Sequence, residues 1–268
     1  NGDNTFDNSD MALFYAMGPT RWAKDTFNQR FYHIKNLYSD SAFYFINFDK
    51  GPGLRVQGQS ATGAGNVTVN SFNFYDVHDT DIINPATIGK LWFGERFLPQ
   101  LSNTSQTFSF DMGPSVSCVY CTVSFGATSD VSGNKVAVSV NGTNIGNVAL
   151  PVTLGDDVMS VKTISGQGAC NDQMVNVSIN YTPASNNSAG YLNYIELNGR
   201  RSLTMSGSDQ LSFRDWMSVA PGNIATYQLN GANSNTQVWD ITNPQVPVLM
   251  QGSLSGSTYT FSCDASKL

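Results

Sequence analysis

Acidic side chains crowd one histidine in the stretch DVHDTD, where Asp76, Asp79 and Asp81 flank His78. Carboxylate oxygens are the natural ligands of hard cations, so these three aspartates are candidate metal ligands. The same pattern fits a solvated loop that caps a short helix over IINPATIG. Cys118 and Cys121, in CVYC, have the spacing of a zinc or redox pair. They lie in a run, VSCVYCTVSF, that reads as a strand, and strand residues three apart face opposite sides. That is the wrong geometry for two ligands of one ion. No second CxxC follows, and neither His33 nor His78 lies near these cysteines in sequence. Two readings stay open for the four cysteines, which include Cys170 and Cys263. They are buried free thiols, or one disulfide joins Cys170 to Cys118 or Cys121 in an oxidising compartment. No resident metal or other cofactor is expected.

Hydrolytic chemistry needs a nucleophile beside a base, or two opposed carboxylates. No GxSxG occurs, and His33, set among aromatics in RFYHIKNLYSD, reads as structural. No catalytic residue is assigned. The binding candidates are Arg200, Arg201, Trp22 and Trp92. The two arginines sit side by side in NGRRSL, in a chain with only 14 Lys+Arg. They follow the apolar strand YLNYIEL and form either an anion site or a structural feature of a sheet. Trp22, Trp92, Trp216 and Trp239 are sugar platforms if exposed, but each lies in an apolar run, so core packing is expected. In KLWFGERF, Trp92 and Phe93 point to opposite faces. Both are expected to be buried, at a junction between an N-terminal region and a sandwich. Six N-x-S/T sequons occur, at Asn66, Asn103, Asn141, Asn176, Asn180 and Asn186.

The elements that must position these residues are strands. MALFYAM (11–17), AFYFINF (42–48), TFSFDM (107–112), CVYCTVSFGA (118–127), VMSVKTI (158–164), MVNVSINYT (174–182) and YLNYIEL (191–197) carry aromatic and β-branched runs. KVAVSV-NG-TNIGNVAL is a hairpin, with Asn141-Gly142 as a type I′ turn and Val136, Val138 and Val140 on one face. Strands recurring at about 8–12 residues between about 100 and 220 predict an all-β fold, a jelly-roll-type sandwich. The expected division is an N-terminal β-rich region over 1–95, the jelly roll over 96–220 and a C-terminal β segment over 221–268. That tail, with a turn at Asn243-Pro244, is expected to pack on residues 1–57. Residues 58–70 read as a surface loop.

In YLNYIEL both strand faces are largely apolar, so the strand is expected to be central and covered on both sides. Leu192, Tyr194, Glu196 and Asn198 are expected to share one of those faces. Asn198-Gly199 is expected to break or bulge the strand, and Arg200 and Arg201 then emerge on opposite sides. At least one must find a carboxylate, because an unpaired buried charge is costly. Glu196, Asp209 and Asp215 are the nearby acids.

Composition excludes some function classes. Charged residues are 13%, below the usual quarter, and polarity comes instead from 27 Asn and 30 Ser. Net charge is −6 and the pI about 4.7. With no basic patch, nucleic-acid binding is not expected. No run of about 18 apolar residues is present, so no membrane-spanning helix is expected. The opening NGDNTFDNSD reads as a mature or trimmed fragment, and the composition suits an exported protein.

Six segments in order carry a family resemblance: DMALFYAMGPTRW (10–22), FYHIKNLYSDSAFYFI (31–46), HDTDIIN (78–84), LWFGERF (91–97), YLNYIELNGRRSL (191–203) and VWDITNPQVPV (238–248). Together they resemble the PorU-like sortases of type IX secretion, which are gingipain-related (peptidase family C25). The resemblance implies that the whole protein is a cysteine peptidase with a Cys–His pair on a caspase-like α/β domain. That domain would follow VWDITNP, and this chain stops at TFSCDASKL, about where it would begin. None of the four cysteines or two histidines matches the family's pair, so no catalytic residue is carried over. The resemblance implies a non-catalytic accessory region at the cell surface or outer membrane. Its partners would be the peptidase domain of the same chain, with secreted cargo proteins or secretion components as further contacts. A carbohydrate-binding module is the alternative.

Overall fold

Alternation of apolar and polar residues decides which strands enclose a core. The structure, a computed structural model, describes residues 13–47, 50–51, 53–85, 87, 89–114, 117–153, 157–170, 173–207 and 210–268. Among them the early strands are β1 (Arg21–Asp25), β2 (Arg30–Ile34), β3 (Gln57–Gln59), β4 (Val67–Val69), β5 (Ser71–His78) and β6 (Arg96–Phe97). Next come β7 (Ser105–Asp111), β8 (Cys118–Thr128), β9 (Lys135–Val140), β10 (Thr143–Ala149), β11 (Ser160–Cys170), β12 (Met174–Thr182) and β13 (Ala189–Ser202). The tail supplies β14 (Ile224–Asn230), β15 (Trp239–Asp240), β16 (Val248–Met250), β17 (Ser253–Ser255) and β18 (Thr258–Asp264).

Two antiparallel sheets face each other, in the orders β10-β9-β12-β7 and β11-β8-β13-β5. From β7 to β13 successive strands switch sheets, except at the β9–β10 hairpin, so that the chain winds as a jelly roll. Val136, Val138 and Val140 of β9, Val175, Val177 and Ile179 of β12, and Val123 and Phe125 of β8 are fully buried between them. The Asn141-Gly142 turn has φ of 45° and 81°, as a type I′ hairpin requires. Gly126 is glycine for a steric reason. A Cβ there would lie 2.1 Å from Met159 Sδ and 3.0 Å from the Phe93 ring.

β13 is the central long strand, paired with β8, β5 and β6. A bulge between Leu192 and Tyr194 shifts its alternation. Leu192 therefore joins Ile195 and Leu197 in the core, instead of sharing a face with Tyr194 and Glu196. Asn198-Gly199 does not break the strand, which runs on through both arginines to Ser202.

A second β region packs around Phe72, Leu203, Leu229, Val238, Met250 and Phe261. Its sheets are β17-β18-β14-β4 and β15-β16-β3. β4 pairs parallel with β14, and β3 parallel with β16. The expected loop over 58–70 thus contains strand residues, and the tail packs on residues 57–69. The sandwich sheets draw on Ser71 to Ser202. They include β5, ahead of the expected boundary at residue 96, and end short of 220.

Other expectations change. Residues 13–17 and 41–47 form no strand, and 11, 12 and 48 lie outside the described residues; β-rich composition registers fit to a neighbouring strand, and among the described residues these stretches pair with none. No helix forms among the described residues of 82–89, where Ile83 instead bridges Phe93. Cys118 is disulfide-bonded, and Cys170 is its register partner in the β8–β11 ladder, while Cys121 and Cys263 are free. Trp92 is 43% exposed, whereas Phe93 is 1% exposed. The expected covering of both faces fails at Trp92: only the Phe93 side packs on the sandwich, against Tyr191 at 5.9 Å.

This asymmetry sets a prediction. Phe93→Ala should cost roughly 3–5 kcal/mol, as a buried aromatic truncation does, and Trp92→Ala less than about 1 kcal/mol. Urea denaturation of both variants checks it, and equal costs would contradict the assignment of faces.

Candidate functional site

Beyond the bulge, β13 turns Tyr194, Glu196, Asn198 and Arg200 away from the sandwich core. The β1–β2 hairpin lies across this outer face and is held by side chains. Phe31 N–H donates to Asn198 Oδ1 at 2.8 Å, and Asn198 Nδ2 donates back to Phe31 O at 2.9 Å. Two residues on, His33 N–H donates to Glu196 Oε1 at 2.7 Å. Steps of two on both strands keep these contacts in register. Trp22 and Phe31 each pack on Tyr75 with ring centroids 4.5 Å apart, and the Arg30 guanidinium lies 3.3 Å from the Tyr120 ring centroid.

His33 is the hub. Its Nδ1 bonds Glu196 Oε1, and its Nε2 bonds Asp79 Oδ2 at 2.8 Å. Lys35 Nζ lies 2.8 Å from both Asp79 Oδ1 and Asp81 Oδ1. Burial alone would lower the His33 pKa, but the bonds to Asp79 and Glu196 outweigh it and hold the pKa at about 9. Burial pushes Asp79 up, yet its bonds to His33 and Lys35 hold it below the usual carboxylate range. At neutral pH His33 is thus an imidazolium donating from both nitrogens, with no lone pair left to act as a base or bind a metal.

The three candidate metal ligands do not converge. Asp79 and Asp81 meet on the Lys35 ammonium, while Asp76 accepts from Val77 N–H at 2.8 Å and is pushed up by burial. Among the described residues no group of three His, Cys, Asp or Glu side chains is placed to hold a metal. His78 instead bonds Glu95 at 2.9 Å.

Arg200 makes the structural ion pair expected of the arginines. Its Nη1 lies 2.7 Å from Asp215 Oδ1, and that carboxylate is 3% exposed. Arg200 also donates to Asn73 Oδ1 and to the Ser71 O and Oγ, all within 3.0 Å. Its guanidinium is thereby committed and is not an anion site. Asp215 in turn accepts from Ser218 N–H at 3.0 Å, which ties the 214–218 turn to the outer face of the sandwich sheet. Arg201, on the opposite side, lies 5.6 Å from the ring centroids of both Phe72 and Phe74 and donates to Ser206 Oγ at 2.9 Å. Trp22 sits half-buried in the hairpin joint, and Trp92 is exposed.

A cavity of about 780 Å³ opens on the second region, with Phe14, Phe213, Arg214, Trp239, Asp240 and Cys263 in its wall. Burial, with Asp240 and Asp264 nearby, pushes the Cys263 thiol up to about 11, and burial pushes Cys121 to about 12. Both thiols are protonated at neutral pH and are poor nucleophiles.

Sequence reasoning missed Lys35 and the role of Asn198. The signal was present: Phe31, His33 and Lys35 alternate in RFYHIK and share one face of the hairpin. The raised His33 pKa sets a prediction. Its contribution to hairpin docking is complete below about pH 6.5 and fades as pH rises through about 9. His33→Gln should cost roughly 3–5 kcal/mol near neutral pH, because it strips the shared cation from two buried carboxylates. The gap to wild type should narrow by pH 10. Urea titrations at several pH values measure this, and a constant gap would contradict it.

Comparison with solved structures places this fold beside a known one. The chain is similar to dimeric latent PorU from Porphyromonas gingivalis at a TM-score of 0.75 and 18% identity, over 93% of this chain and 24% of that one. It therefore spans about a quarter of PorU's length. A carbohydrate-binding module in complex with calcium and xylotriose overlaps 35% of this chain and 71% of its own, at TM-score 0.25 and 16% identity. A C-terminal carbohydrate-binding module of a marine laminarinase from Zobellia galactanivorans overlaps 34% of this chain and 70% of its own, at TM-score 0.24 and 14% identity. No protein-family model matches, and no curated protein matches by sequence. What this chain shares with PorU is the fold of one stretch of that protein.

Proposed function

We propose that this chain is a non-catalytic accessory region of a PorU-like surface cysteine peptidase, a sortase of type IX secretion. One observation carries the reading: the PorU likeness extends over 93% of the chain, through the jelly roll and the second β region alike. The six ordered segments that resemble the family support it. In this reading the protein is exported to the cell surface or outer membrane. The region scaffolds a peptidase domain of the same protein and offers surface to secreted cargo or secretion components. The acidic pI of about 4.7 speaks against nucleic acid as a partner.

The exposed Trp92, with Tyr38 80% exposed and Lys90 Nζ 5.9 Å from the Tyr38 ring centroid, favours a second reading as a carbohydrate-binding module. Calorimetric titration with soluble oligosaccharides tests it. Binding lost in Trp92→Ala would favour the sugar reading over the scaffold.

For the scaffold reading, two results are expected. The gene should continue past Leu268 into an α/β peptidase domain bearing a Cys–His pair, and a stop codon there would contradict the reading. The isolated chain should leave peptide substrates of such peptidases uncut. Turnover abolished by substituting Cys118, Cys121, Cys170 or Cys263 would overturn it.

A further inference from the structure

The cavity of about 780 Å³ on the second region is walled like a slot for one strand. Tyr227 and Leu229, two residues apart on β14, give it the face of a sheet as floor. Phe261 of β18 is the register partner of Tyr227, and the two rings stack with centroids 5.1 Å apart. The Phe213 ring lies 5.7 Å from Tyr227. Residues 210–215 and 237–242 instead line the cavity without a gap. A strand shows consecutive residues to one space only along its edge. β15, within the second of these stretches, is an edge strand and pairs among the described residues with β16 alone. Met250 N–H donates to Val238 O at 2.8 Å, so that pair is hydrogen-bonded, and by alternation the Trp239–Leu249 pair is not. Trp239 N–H and C=O therefore point away from β16. The backbone of Leu211, Ser212 and Phe213 makes no hydrogen bond among the described residues.

We propose that this slot takes an extended acidic peptide, a segment of a separate polypeptide added as a strand beside β15. A large apolar side chain of that peptide lies over the Phe213, Tyr227 and Phe261 rings, and an acidic one meets Arg214. The inference does not depend on the function proposed above. Unpaired main-chain groups along a strand edge select a peptide, because only another backbone repeats donors and acceptors at their spacing. The aromatic floor selects the apolar side chain. Charge selects the acid. Arg214 lines the cavity, and its guanidinium has no hydrogen-bond or ion-pair partner among the described residues. The acids of the wall are engaged elsewhere: Asp215 by Arg200, Asp240 by Thr242 N–H and Asp264 by Ser266. Burial and the Arg214 charge together hold the Lys24 pKa below the usual lysine range, as a cation beside an unneutralised one must be.

Calorimetric titration with the terminally blocked peptide Glu-Val-Phe-Val-Glu tests the proposal, with amide hydrogen exchange read on the chain alone and with the peptide. Saturable binding with a Kd below about 1 mM is expected. The Trp239 amide should exchange readily in the chain alone and slow when the peptide is added. Glu-Pro-Phe-Pro-Glu keeps the ring and both acids but loses two backbone donors, and should bind roughly tenfold more weakly or not at all. Lys-Val-Phe-Val-Lys should also lose roughly tenfold, as should Arg214→Gln with the first peptide. That variant keeps the fold, because the guanidinium it removes holds nothing in place. No binding of Glu-Val-Phe-Val-Glu up to about 1 mM, equal binding of the proline peptide, or binding that leaves the Trp239 amide unprotected would overturn the proposal. A Trp239 amide already protected in the chain alone would overturn it too, because the chain would then fill the slot itself. Equal binding of the lysine peptide, or indifference to Arg214→Gln, would overturn the role given to the acid.

Discussion

Buried carboxylates on the outer face of β13 must be paired, and the rest of the arrangement follows from that. Glu196 is 7% exposed and Asp215 3%. Leaving one such charge without a partner costs several kcal/mol, comparable to the whole margin of a small domain. A surface ion pair is worth about 1 kcal/mol at most, so burial is what gives these contacts their weight. Glu196 is answered by His33, which ties the hairpin to the sandwich. Asp215 is answered by Arg200, which ties the 214–218 turn to the same strand. One strand face thus holds both neighbours, and the bulge after Leu192 is what frees that face by putting Leu192 in the core.

The sandwich was largely legible in the chain. Alternating valines and the Asn141-Gly142 turn define β9 and β10 because one face is fully buried and the turn needs positive φ at both positions. The arginine pair was legible as well, since consecutive strand residues must part to opposite faces and one then needs an acid. Other features were hidden because they depend on distant partners. Residues 42–47 have strand composition, yet among the described residues they pair with no strand. The bulge in β13 reverses the faces of Leu192, and no local residue announces it. The DVHDTD cluster reads as a cation site until Lys35, more than forty residues earlier, supplies the cation. Trp92 shows that an apolar run does not guarantee burial on both faces.

The jelly roll lies in sequence between residues 57–69 and the tail that pairs with them, and polar joints on β13 hold the hairpin and the 214–218 turn against it. His33 has no free nitrogen and the two free thiols hold their protons. The contacts on this face pair buried and partly buried charges with one another.

The central claim is that these ion pairs are coupled and not incidental. The most direct measurement is a double-mutant cycle on Arg200 and Asp215, read by urea denaturation of wild type, Arg200→Met, Asp215→Leu and the double variant. Contacting residues in one network show coupling of about 0.5–3 kcal/mol. The account predicts a value in the upper half of that range, with the double variant more stable than Arg200→Met. Additive costs, with coupling below about 0.5 kcal/mol, would contradict it.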